Sequence, residues 1–258
     1  MLGRLGAARS AGARLACGLR SRQIQTYRRF DGGRGGGRRG LWTEPWFRYA
    51  AGAAGAAGCV YVVAHTRTSP TGRWQFISVT PEDEEREGLR AYQQILAQYR
   101  GQILPRGHPA DALVRRVAQR ILAVSQTPGD WEVHVIDSPE RNAFVLPGGK
   151  IFVFSGLLPV ATTEDGLATV LAHEIAHQHA RHTGEKLSQA RLLSVAYLLV
   201  ALFVDTSAAQ LGRSVTSLLV ELPNSRRCEE EADRIGLDLM ARACYDPAQA
   251  VALWQNMK

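Results

Sequence analysis

The sequence predicts an α+β fold that is predominantly helical, with one small three-stranded sheet. Three observations carry this. After residue 80, apolar residues recur at helical spacing in one segment after another. Between residues 131 and 154, three short segments are instead β-branched, aromatic or alternating. Hydrophobic residues make up 45% of the 258 and charged residues 21%, a balance that permits a packed core and excludes a wholly disordered chain.

Thr80-Pro81-Glu82-Asp83 opens the first helix: a capping hydroxyl, Pro at the first helical position and acids in the first turn. It runs to about residue 99, with Leu89, Tyr92, Ile95, Leu96 and Tyr99 on one face. His108-Pro109 opens a second helix to about residue 124, with Leu113, Val117, Ile121 and Leu122 inward. Residues 131–136 alternate as a strand does. Residues 142–146 and 151–154 form a hairpin around Pro147-Gly148-Gly149. Helices are expected over 164–182, 186–204, 208–220, 226–243 and 247–257. Residues 192–204 are apolar but too short to span a bilayer, which suits a buried or membrane-surface helix.

Charge divides the chain. Residues 1–48 hold eleven Arg, no Lys and two acids, a net +9, whereas the remaining 20 basic and 22 acidic side chains give −2. The basic character therefore belongs to the N-terminus and says nothing about the partners of the folded part. Arg spaced by Ser, Ala and Leu, with no acid before Asp31, is the composition of a mitochondrial transit peptide, and residues 1–40 are assigned to it together with a Gly/Arg linker. The DGGRGGGRRG tract lacks interleaved aromatics, so no nucleic acid is expected as a partner. Residues 47–66 read as a transmembrane anchor flanked by Trp, with Gly52, Gly55 and Gly58 permitting close helix packing. Positive charge on its N-terminal side places the domain from residue 80 to 258 in the intermembrane space of the mitochondrial inner membrane.

The chemistry is concentrated in His173-Glu174-Ile175-Ala176-His177. Positions i and i+4 of a helix lie about 400° apart, so both imidazoles leave one face and can meet one Zn²⁺. Glu174 sits beside the first His, where it can serve as the base for an attacking water. Thr162 or Thr163 caps this helix and Gly184 ends it. A third ligand is needed, and Glu229 and Asp233 offer two carboxylates on one face of a later helix. One can take the metal while the other accepts the free N–H of a ligand His. Glu230 and Glu231 are the competing carboxylates; they point about 100° and 200° further round and are expected to be solvated, although spacing alone leaves them open. His182, nine residues from His173, falls near the opposite helix face and is expected in a structural or surface role; His179 is expected at the surface. His179, His182 and Arg226 are the candidates for a second oxyanion donor.

HEIAH followed by SRRCEEEAD, with NAFVLPGGKIFVFSGLL before the active helix, resembles the HtpX-like zinc metallopeptidases, relatives of the prenyl-protein processing protease. The resemblance covers roughly residues 80–258. It implies a zincin-type metalloprotease domain holding one Zn²⁺ per chain. It also implies that His173, His177 and Glu229 are ligands, Glu174 is the base and Asp233 supports a ligand from behind. Asn142 and Ala143 would lie on an edge strand that pairs with an extended substrate. The expected partners are protein substrates of the inner membrane, the lipid bilayer and a second copy of the chain. Stress-triggered quality control, including cleavage of a dynamin-like fusion GTPase, is the expected role. Family members usually continue past the point matching Lys258 with a His-Pro stretch, so the domain is expected to be incomplete at its C-terminus. That keeps a second reading open, a non-catalytic scaffold or regulator on a truncated protease fold. Cys17, Cys59, Cys228 and Cys244 show no metal-like spacing, and no Gly-x-Ser-x-Gly elbow or phosphate loop occurs.

Overall fold

The computed structural model describes residues 45–201 and 223–256. The transit-peptide region and the helix expected over 208–220 lie outside these residues. The first element is α1 (Pro45–Ala64), an exposed Ala/Gly-rich helix where the anchor is expected. No helix among the described residues is long and apolar enough to cross a membrane.

A short hairpin follows, β1 (Thr66–Thr68) and β2 (Trp74–Phe76), paired antiparallel. Sequence pattern misses it because each strand has only three residues, too few for alternation to register. Helix α2 (Pro81–Gln98) is capped by the Thr80 hydroxyl, which accepts from Asp83 N. In α3 (Pro109–Ser125) the His108 ring accepts from Ala110 N in the same role.

The main sheet holds β3 (Glu132–Ile136), β4 (Ala143–Leu146) and β5 (Lys150–Phe154) in the order β3-β5-β4. The hairpin folds as expected, but its second strand inserts between the other two and pairs parallel with β3. Period-2 alternation then gives β5 two buried faces. Ile151 and Val153, with Val133 and Val135, pack on α3 and on α5 (Glu164–His179). Phe152 and Phe154 pack on Tyr92, Ile95 and Leu96 of α2 and on Tyr99, its C-cap. Burying each such side chain contributes about 1.5–3 kcal/mol. Among the described residues β4 has a strand partner on one side only, and α5 runs beside it.

A 3-10 turn (Ser155–Leu157) and the short α4 (Leu158–Ala161) lead to α5, whose cap is Thr163, accepting from Gly166 N. The helix does not continue to Gly184. It ends at His179 with Ala180 as its C-cap, and Arg181 takes a left-handed conformation at φ 57°. That strained backbone is held by the Arg181 guanidinium, which pairs with the buried Glu84 and donates to Val79 O. The chain restarts as α6 (His182–Ala201), covering the expected 186–204 segment as far as described, with Leu192, Val195 and Leu198 exposed. Gly184 lies inside α6, where a Cβ would strike the Glu84 carboxylate. It serves close approach rather than termination. The last elements are α7 (Pro223–Arg242) and α8 (Gln249–Asn256). Helix α7 packs along α5, burying Leu239 and Met240 in the same core.

Candidate metal centre

Helix α5 presents His173 and His177 one turn apart, and α7 lays Glu229 across them. Glu229 Oε2 is 3.3 Å from His173 Nε2 and 3.4 Å from His177 Nε2, and the two ring nitrogens are 3.1 Å apart. For bonds of about 2.0–2.1 Å at tetrahedral angles, ligand atoms should stand roughly 3.3 Å from one another. The three side chains therefore fit one zinc ion, in donor type and in spacing. Burial, followed by the neighbouring His173 and His182, holds His177 down at about 3, so its ring stays neutral and keeps a lone pair to donate.

Asp233 stands one helical turn beyond Glu229, and its Oδ1 accepts from His173 Nδ1 at 2.8 Å. Glu174 is half-buried beside β4. Burial, with help from the Glu229 carboxylate, pushes it up to about 7, against the pull of His173 and of a backbone hydrogen bond at Val145. Asn142 is exposed just before β4; its carbonyl accepts from Phe154 N and its amide donates to Glu140. Ala143 opens β4 with its side chain in the core, so it offers a substrate only main chain.

Two sequence expectations are corrected. Of the structural or surface role expected for His182 the structure shows the buried one, at 1% exposed, but not on the opposite face: its Nδ1 lies 2.9 Å from His177 Nδ1. The helical wheel drawn to 182 fails because α5 ends at His179 and the left-handed Arg181 redirects the chain. Glu231 is buried rather than solvated and accepts from Thr71, Arg73 and His182. Burial opposes its ionisation, but hydrogen bonds from Ser69, Thr71, Arg73 and His182 overcome this and hold it at about 2. The missing signal was the β1–β2 hairpin, which supplies Arg73 from more than 150 residues away. His179 is half-buried against the Thr127 hydroxyl, 3.0 Å away, and Arg226 is exposed on α7. Cys228 is buried against Glu185 and Arg73, and burial pushes its thiol up to about 11, which keeps it protonated; Cys59 and Cys244 are exposed.

The same stretch of chain is similar to known proteins. The family model for Peptidase family M48 matches residues 109–258. The chain is 46% identical over 213 residues to the mitochondrial metalloendopeptidase OMA1 of Schizosaccharomyces pombe, which covers 82% of this chain and 63% of that protein. It is 38% identical to the mitochondrial metalloendopeptidase OMA1 of Saccharomyces cerevisiae, covering 78% of this chain and 61% of that protein. To the human mitochondrial metalloendopeptidase OMA1 it is 33% identical, over 77% of this chain and 41% of that protein. The chain thus spans about three fifths of the length of the yeast relatives. The family model covers β3 to β5 and the helices bearing the two His and Glu229, and this chain belongs to peptidase family M48.

Proposed function

We propose that this chain is a zinc-dependent endopeptidase that cleaves proteins of the mitochondrial inner membrane. The observation that carries the reading is the convergence of His173, His177 and Glu229 to ligand spacing, with Glu174 beside that cluster and hydrogen-bonded at the Val145 backbone of β4. Zinc held by these three residues supplies Lewis acidity toward a scissile carbonyl and makes a nearby water a better nucleophile. Glu174, poised near neutrality, takes the proton of the attacking water and returns it to the leaving amine nitrogen. Asp233 holds the His173 ring by its Nδ1–H. β4, which has no strand partner on one side among the described residues, takes an extended peptide by main-chain hydrogen bonds, which makes cleavage tolerant of substrate sequence.

The relatives' names support mitochondrial residence. Attachment to the inner membrane, with the domain in the intermembrane space, belongs to the same proposal and rests on α1 and the basic segment before it. Alone α1 is too weakly apolar to cross, so packing of its open Gly52, Gly55 and Gly58 face on another helix would have to complete it. Stress-triggered cleavage of a dynamin-like fusion GTPase is the substrate reading we carry forward.

The test is peptide cleavage by the purified chain beside its Glu174→Gln variant, with zinc measured in both. Chelator-sensitive cleavage by wild type, lowered about 10²–10⁴-fold or more in a variant still holding one zinc, is the expected result. Equal activity in the two would end the reading. No activity in either, with zinc bound, would favour a scaffold on a protease fold.

A further inference from the structure

Behind the metal centre lies a second layer of charge that the hydrolytic reading does not use. His182 and the side chains of Glu185 and Glu231 are each no more than 3% exposed, and Arg73 is 15% exposed. Arg73 stands at the end of the turn between β1 and β2. Its Nε donates to Glu231 Oε2 at 2.7 Å, while Nη1 and Nη2 donate to Glu185 at 2.9 and 2.6 Å. The Thr71 hydroxyl donates to the other Glu231 oxygen at 2.5 Å. Glu231 Oε2 in turn lies 3.1 Å from His182 Nε2, and His182 Nδ1 lies 2.9 Å from His177 Nδ1.

The protons in this chain can be placed by elimination. A His177 ring that gives its Nε2 lone pair to a metal must, when neutral, carry its proton on Nδ1. The atom facing it, His182 Nδ1, must then accept, so the His182 proton sits on Nε2. Nε2 faces the Glu231 carboxylate, which can only accept, and whose other partners, Arg73, Thr71 and Ser69, are donors to it. Every group from Arg73 to His177 has one compatible role.

We propose that the β1–β2 hairpin is a positioning element of the metal centre: Arg73, acting through Glu231 and His182, fixes the ring of His177 with its Nε2 lone pair toward the metal. The proposal rests on His177 being a ligand. It makes the two ligand histidines unlike. His173 is held directly by Asp233 from α7, next to Glu229, whereas His177 is held through three side chains by a hairpin at the other end of the domain's sequence. A hairpin that served only as packing would leave zinc binding unchanged when Arg73 was altered.

The experiment measures the zinc dissociation constant of the 258-residue chain by competition with a chromophoric chelator. Wild type is compared with Arg73→Lys, His182→Leu and the double variant, with the unfolding temperature of each zinc-free protein recorded alongside. Arg73→Lys keeps the charge but loses the fork and the Nε donor to Glu231. Each single change should raise the constant about 10–100-fold, as loss of a partner behind a ligand histidine typically does. The double variant should be no weaker than His182→Leu alone, because Arg73 acts through His182. An unchanged constant in Arg73→Lys, or effects that multiply in the double variant, would overturn the proposal. Histidine-ring ¹H–¹⁵N correlation spectra of zinc-loaded wild type test it without any variant. His182 should appear as the Nε2–H tautomer, and the Nδ1–H tautomer would overturn the direction of the chain. A wild type that binds no zinc would instead remove the metal-centre reading itself.

Discussion

Asp233 orients His173 from behind, before any metal is bound: it favours the tautomer whose proton sits on Nδ1. With Asp233 Oδ1 accepting at Nδ1, the lone pair is left on Nε2, 3.3 Å from Glu229. Asp233→Ala should therefore raise the zinc dissociation constant about 10–100-fold while leaving Glu174 in place. Metal competition measures it, and an unchanged constant would mean that the helix alone orients the ring. At this scale the sequence was legible wherever spacing on one helix decided the geometry. His173 with His177, and Glu229 with Asp233, could be paired by the i and i+4 rule. Glu231 and His182 could not be read that way, because their surroundings come from other elements. A carboxylate two positions from Glu229 points away from the metal, and rotation alone suggests solvent. What lies there is Arg73, brought in by a hairpin that no local pattern announces.

The helices that carry the proposed ligands meet at a glycine. A Cβ on Gly236 of α7 would stand 3.1 Å from His173 N and 3.2 Å from His173 Cα, which is backbone that cannot swing aside. Gly236 thus sets how closely Glu229 and Asp233 approach α5. Gly236→Ala sets an overpacking cost of about 1–3 kcal/mol against about 1 kcal/mol gained in helix propensity, and Gly236→Val, with less of that gain, should cost more. Both should weaken zinc binding beyond what Asp233→Ala does, because both carboxylates move together. Unfolding temperature and zinc affinity measured side by side check this, and a destabilised variant with unaltered affinity would place the spacing elsewhere. Strand pairing gives a second prediction. Glu132 and Lys150 are cross-strand partners in the parallel β3–β5 pair, with Nζ 2.5 Å from Oε1. The Lys150 hydrogen bond, above all, holds the Glu132 carboxyl below its ordinary value of 4.5. A lowered folded value means the stabilisation is present above about pH 4.5 and is lost as pH falls below it. Lys150→Met should flatten that part of an acid-unfolding profile, a modest effect because Glu132 is a third exposed. The sequence showed the β4–β5 hairpin and every long helix of the described region, since each has its own cap, turn or periodicity. It did not show that β5 would sit centrally beside β3, because parallel pairing is settled by α3 and α5 covering one face and α2 the other.

In the whole domain, the two helices bearing the site are separated in sequence by some fifty residues and joined by a core that α3, the sheet and α7 share. A metal bound by His173, His177 and Glu229 ties α5 to α7, a tie the unfolded chain lacks, so binding and folding are linked. With free zinc at about 100 times its dissociation constant, that linkage adds about 2.7 kcal/mol. For a folded region of this size, each kcal/mol moves the unfolding temperature by roughly 2–4 °C. Chelation of the zinc-loaded chain should therefore lower its unfolding temperature by about 5–11 °C, from these two estimates combined. Glu229→Gln should lose most of this difference, since the amide is a poor substitute for the ligand carboxylate. Glu174→Gln should keep it, because Glu174 is assigned to the proton and not to the metal. Scanning calorimetry of the three proteins, each with zinc and with chelator, separates the roles. If the Glu174 variant lost the zinc-dependent shift while the Glu229 variant kept it, the assignments of base and ligand would have to be exchanged. If none of the three showed a shift, the two helices would be held by packing alone, and the 3.1–3.4 Å spacing of their ligand atoms would need another explanation.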